Sequence, residues 1–176
     1  MQNILPPSFF AREADIVALE LLGKTLVRER NGISLFDTIV ETEAYMGSHD
    51  LACHASRGRT PRTEVMFGPA GIWYVYFVYG MHWMLNIVTG LEGQGAAVLI
   101  RGVSETTGPA RLTKRFDIDR SFNAVAATRK HGLWLEDRGR VVESSSVKRT
   151  PRIGVDYAGK WAREPLRFVL NDRRDE

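Results

Sequence analysis

Asn31-Gly32 stands between two extended runs, Thr25–Arg30 and Ile33–Tyr45, and this dipeptide is the strongest short signal for a tight β-hairpin. The second run is apolar from Ile33 to Val40 and ends in Glu41-Thr42-Glu43-Ala44-Tyr45, with Cys53-His54 a few residues further on. Residues two apart on a strand share a face, so Glu43 and Tyr45 are expected to project together. Acids are seldom fully buried unless paired, and a carboxylate at the rim of a sheet is a candidate for chemistry. A solvated strand end is the competing explanation at this point.

The rest of the chain extends the strand pattern. Gly68-Pro69-Ala70-Gly71 is turn chemistry, and Ile72–Tyr79 after it is almost wholly aromatic and β-branched. Met84–Thr89, Ala96–Val103, Leu133–Glu136 and Leu166–Leu170 read as further strands, with glycines at 90, 93 and 95 between the first two. Ala14, Val17, Ala18, Leu21 and Leu22 recur at helical spacing before Gly23, a C-terminal stop. Pro109 opens a second helix over Ala110–Phe116. Consecutive strands with short connections predict an antiparallel meander in one α+β domain spanning 1–176.

A chain of 176 residues is long enough for one domain with a full core. No apolar run approaches the roughly 20 residues that cross a bilayer, and the N-terminus lacks the basic and hydrophobic regions of a signal peptide. The single cysteine, Cys53, excludes an internal disulfide and fits a reducing cytoplasm. Net charge is +3, but residues 108–152 hold eleven Lys or Arg against five acids. A basic half suits a polyanion such as nucleic acid, and ordinary solvated surface produces the same bias.

Several positions carry candidate chemistry. In the aromatic run, Tyr74, Tyr76 and Val78 share one face, and Trp73, Val75, Phe77 and Tyr79 the other. Most are expected in the core, but Tyr79 precedes Gly80 and is expected at a loop tip. Asn86 lies within the apolar strand Met84-Leu85-Asn86-Ile87-Val88 and must find partners or line a cavity. Arg101 ends a hydrophobic strand, where it can reach a carboxylate or a phosphate. His49, His54, Glu41 and Glu43 match no metal-ligand spacing, so no metal is expected. No phosphate-cradling glycine loop is present, and Cys53 has no support as a nucleophile.

Taken together, these segments resemble the alkyladenine (3-methyladenine) DNA glycosylase family, as a bacterial member. The resemblance runs through Glu41–Tyr45, Cys53-His54-Ala55, Gly58-Arg59-Thr60-Pro61-Arg62, Met66-Phe67-Gly68, Tyr74–Met81 and Asn86. It continues through Val98–Arg101, Gly108-Pro109, Arg152-Ile153-Gly154-Val155 and Gly159–Phe168. It implies a curved, mostly antiparallel sheet with surrounding helices. One departure is a short connection from Arg101 to Gly108.

By this resemblance Glu43 is the general base for an attacking water, and Arg101 and the main chain of Ile153 help hold the reacting groups. Tyr45, His54 and Tyr76 are stacking walls of the base pocket, Asn86 excludes the 2-amino group of guanine, and Tyr79 is the wedge inserted into DNA. The implied partner is double-stranded DNA containing damaged purines, bound by a monomer without a cofactor. No lysine among the motifs is placed to form a Schiff base, so hydrolysis without strand cleavage is expected. Two alternatives remain: a nucleic-acid-binding module that senses damage without catalysis, and a metal-dependent hydrolase using Glu41, Glu43 and His54.

Overall fold

The computed structural model describes residues 3–171. Asn31 and Gly32 form the expected turn, both with positive φ (53° and 76°), the conformation a two-residue hairpin demands. They join β2 (Thr25–Arg30) to β3 (Ile33–Tyr45) with Arg30 opposite Ile33. At thirteen residues β3 outruns its partner, since Thr25 already faces Thr38. Its free half pairs on one side with β6 (Ala96–Val103) and on the other with β10 (Arg167–Leu170). A register irregularity at Glu41 interrupts the β3–β6 ladder, and such a bulge bends its strand.

β4 (Trp73–Val78) and β5 (His82–Thr89) form a second hairpin, and β5 continues onto β6. At the far edge β2 pairs with β8 (Leu133–Asp137), and β8 with β1 (Asn3–Ile4). The path is β1-β8-β2-β3-β6-β5-β4, with β7 (Thr106–Thr107) on β6 and β9 (Val147–Thr150) on β10. All of these strand pairs are antiparallel. The meander is only local: β3 skips β4 and β5 to pair with β6, and distant β8 and β10 take places beside β2 and β3. The short connection after Arg101 is the tight β6–β7 turn.

Period-two alternation then sorts the two faces. Ala44, Trp73, Val75, Leu85, Ile87, Val98 and Ile100 face one way. There they bury against Phe10 of α1 (Pro7–Phe10), Val17, Ala18 and Leu21 of α2 (Ala14–Leu21), and Leu112 of α3 (Pro109–Arg115). Their strand neighbours Tyr45, Tyr74, Tyr76, Met84, Asn86 and Leu99 face the other way and line a cavity. Loops rich in single helical turns cover that second face, at His54–Arg57, Glu64–Phe67 and Asp156–Ala162. The fold thus packs a helical core on one face of the sheet and a cavity on the other.

Candidate active site

Glu43 and Tyr45 do project together: the Tyr45 hydroxyl donates to Glu43 Oε2 at 2.9 Å. The carboxylate is not at a sheet rim, however. It sits in mid-sheet between β6 and β10 and is 0% exposed. The backbone N–H of Ile153 donates to Oε1 at 2.8 Å, and Arg101 Nη1 lies 3.4 Å from the same oxygen. Burial raises the Glu43 pKa above its ordinary value, while Arg101, the Ile153 N–H, Tyr45 and Arg152 pull it back. Arg101 is also bound to Glu41, Nε to Oε1 at 3.0 Å, and Arg167 holds that oxygen at 2.6 Å. Of the two destinations open to Arg101, the carboxylates are the one it takes.

Glu43 lies one layer behind the wall of a cavity of about 380 Å³, a volume in the range of small-molecule sites. Tyr45, Arg101 and Ile153, its three contacts, line that cavity with His54, Tyr74, Tyr76, Asn86 and Tyr157. The His54 ring meets Tyr76 edge-on at 4.7 Å between centroids, and its Nδ1 is 3.0 Å from the Tyr74 hydroxyl. Burial, with smaller contributions from Arg62 and Arg57, lowers the His54 pKa to about 4. Asn86 is 3% exposed and donates through Nδ2 to the Tyr74 carbonyl at 3.2 Å, so it both satisfies a core partner and lines the cavity.

Tyr79 lies just beyond the end of β4, with φ 52° and 87% exposure, at the cavity mouth. A bulky residue held in the left-handed region is strained, and such strain concentrates at functional positions. Met81, Ile153 and Tyr157 are exposed apolar neighbours in sequence or on the rim. Among the described residues no three His, Cys, Asp or Glu side chains are grouped to hold a metal ion. Nor is any helix there long and apolar enough to cross a membrane.

The methylpurine-DNA glycosylase family model matches residues 8–107 and 103–174, two pieces that meet at the β6–β7 turn. A Myxococcus xanthus protein named "Putative 3-methyladenine DNA glycosylase" is 52% identical, over 97% of this chain and 91% of its own length. Proteins of the same name from Legionella pneumophila (strain Corby) and Carboxydothermus hydrogenoformans are 45% and 44% identical. Those alignments cover 96% and 97% of this chain and 94% and 97% of theirs. The chain belongs to the methylpurine-DNA glycosylase family. Membership makes it a DNA glycosylase, with DNA as its substrate.

One cation of the basic half is not on the surface. Arg152, counted in the basic half, is 0% exposed in its side chain and grips the equally buried Asp50, Nη1 to Oδ2 at 2.5 Å and Nη2 to Oδ1 at 2.9 Å. Arg115, Arg129 and Arg138 also face acids, Asp37 and Glu136, so part of the basic surplus is structural. Neither Asp50 nor Tyr157 was singled out as a site residue, because each depends on a segment a hundred residues away: Tyr157 donates to the Ala52 carbonyl at 3.3 Å.

A histidine that titrates near 6.5 when unfolded and near 4 when folded stabilises the fold above pH 6.5, and that contribution is lost as pH falls through 4. In an NMR titration, the His54 Cε1–H resonance is expected to stay that of a neutral ring from pH 8 down to about 5. A midpoint near 6.5 would contradict the burial and the Arg62 and Arg57 fields assigned to it.

Proposed function

We propose that this chain excises alkylated and deaminated purines from duplex DNA by hydrolysis, working as a monomer and leaving an abasic site. The observation that carries this reading is the Glu43 carboxylate, fully buried, raised in pKa and joined to an aromatic cavity through Tyr45, Arg101 and Ile153. A carboxyl raised toward working pH is a stronger base than an ordinary one, and general-base catalysis contributes on the order of 100- to 10,000-fold.

A base inside the stack hides its reactive bond, so it must be flipped out before hydrolysis. The Tyr79 ring fills the space it leaves. Flipped purine stacks against Tyr45, His54 and Tyr76, rings that line the cavity in front of Glu43. Glu43 accepts the proton of a water admitted beside them, and the oxygen bonds to C1′ of the deoxyribose. The glycosidic bond breaks with its electron pair leaving on the purine. N3- or N7-alkylation makes that purine cationic, so it departs neutral without a proton from the enzyme, whereas an uncharged lesion such as hypoxanthine or ethenoadenine departs neutral only by taking up a proton from solvent. Aromatic faces favour such a cation by about 0.5–2 kcal/mol, and a His54 that stays neutral does not repel it.

Of the substrates proposed, 3-methyladenine and 7-methylguanine suit the aromatic walls by their charge, and hypoxanthine and ethenoadenine by lacking a 2-amino group. Asn86, fixed to the Tyr74 carbonyl, meets the exocyclic 2-amino group of guanine. A damage sensor without catalysis has no use for a buried acid at this position. Against the metal-hydrolase alternative, Glu41 is paired with Arg101 and Arg167, and His54 Nδ1 faces the Tyr74 hydroxyl.

Glu43→Gln tests the reading. Base release in single-turnover assays should fall at least about 100-fold with damaged-DNA binding kept. The raised pKa adds a second signature: above the folded pKa the buried anion costs stability, and this cost disappears below the unfolded value. The glutamine variant should therefore melt higher than the parent at pH 7, with the gap closing as pH falls. Excision near the parent rate removes Glu43 as the base.

Asn86→Ser separates guarding from packing. A guard predicts faster release of guanine-type bases relative to hypoxanthine. A purely structural amide predicts an unchanged ratio and about 1 kcal/mol lost from folding.

A further inference from the structure

The Asp50–Arg152 pair takes no step in the chemistry described so far, yet it ties the strand of Glu43 to the loop after it and to the segment that carries Ile153. Arg152 Nη1 also donates to the Ala44 carbonyl at 2.8 Å, between Glu43 and Tyr45, and Nη2 to the Trp161 carbonyl at 3.2 Å. Its guanidinium lies 4.8 Å from the centre of the Tyr45 ring. The Asp50 carboxylate accepts the N–H groups of Met46 at 3.1 Å and Ala52 at 3.0 Å, the two ends of the loop between Tyr45 and His54. Ile153, the next residue after Arg152, supplies the N–H on Glu43.

Such a pair is a weak source of net stability, because two desolvated charges offset most of their attraction. Among the described residues Arg152 Nε finds no acceptor, a further cost. What a bidentate fork does supply is geometry, through two parallel hydrogen bonds in a fixed plane.

We propose that Asp50 and Arg152 are positioning residues: the pair holds the Ile153 N–H and the Tyr45 ring where they contact Glu43, and acts on the reaction only through them. This rests on the reading of Glu43 as the base. Neither residue touches the damaged nucleotide, since both side chains are fully buried and neither lines the cavity. The charged and titratable groups around Glu43 are Arg101 from β6, Arg152 from the segment after β9, Tyr45 on its own strand and Tyr76 from β4. Glu41 lies one step removed, accepting from Arg101, and Arg167 donates to the same Glu41 oxygen. Only Arg101 and Arg152 favour the anion as cations, so loss of either one moves Glu43 in a known direction.

The test is single-turnover excision against pH for Arg152→Lys, Arg152→Met and Asp50→Asn, with lesion-DNA affinity measured alongside. Arg152→Lys keeps the cation but loses the fork: excision should drop about 100-fold, as for a misplacement of about 1 Å, with affinity and the acid limb unmoved. Arg152→Met removes the cation, so its acid limb should move to higher pH. Asp50→Asn leaves the cation unopposed, so its acid limb should move to lower pH. Opposite displacements from the two partners of one pair are not produced by loss of stability. Parent rate and parent acid limb in Arg152→Lys and Asp50→Asn would overturn the proposal, as would equal losses of rate and affinity. If Arg152→Met does not fold, the conservative Arg152→Lys decides the matter by its rate. Glu43→Gln in the same assay keeps the claims apart. An active Glu43→Gln sinks the general-base reading itself, whereas an inactive one beside a fully active Arg152→Lys sinks only the positioning role.

Discussion

Burying an anion with no exposure to water raises its energy, and the second face of the sheet is arranged around that fact at Glu43. The Ile153 N–H, the Tyr45 hydroxyl and the Arg101 guanidinium each lower the cost, and none removes it, because burial remains the largest influence on the carboxyl. What results is a carboxyl that holds its proton more tightly than a solvated glutamate, behind a wall of aromatic rings. Arg101 is in turn shared with Glu41, whose second partner, Arg167, comes from β10. The acid therefore depends on strands drawn from three distant parts of the chain.

The topology makes that dependence possible. Because β3 is twice as long as β2, its second half is free to pair with β6 and β10 together, which puts Glu43 between two strands and away from any edge. The same alternation that sends Ala44 to the helical core sends Glu43 and Tyr45 to the cavity side. Loops then close over them. The segment after β9 contributes Ile153, and the loop after β3 contributes His54. Helices stabilise one face of the sheet while the cavity face is built from strand residues and loops, so substitutions in the cavity need not disturb the core.

Much of this was legible in the residues. The Asn31-Gly32 turn, the i, i+2 partnership of Glu43 and Tyr45, and the exposed Tyr79 before Gly80 all follow from local geometry, which acts over a few residues. The pocket residues Tyr76, Asn86 and Arg101 were likewise visible as polar or aromatic anomalies in apolar strands. Long-range pairing was not legible. Nothing near Glu43 announces that β10 will lie beside it, which is why it read as a rim residue rather than a buried one. Arg152 read as surface charge for the same reason: its burial is intelligible only with Asp50, 102 positions earlier. Ile153 carried a signal only through family resemblance, since the group that matters there is a backbone N–H.

The central claim, that the raised and buried Glu43 carboxyl is the group whose ionisation turns the reaction on, can be measured directly. Glutamate labelled with ¹³C at the carboxyl carbon reports protonation, and the Glu43 signal is assigned by its absence in a glutamine variant. The account predicts a Glu43 midpoint above the ordinary value of 4.5, coinciding with the acid limb of single-turnover excision. A carboxyl that titrates at the ordinary value, or whose midpoint lies apart from the kinetic limb, would contradict it.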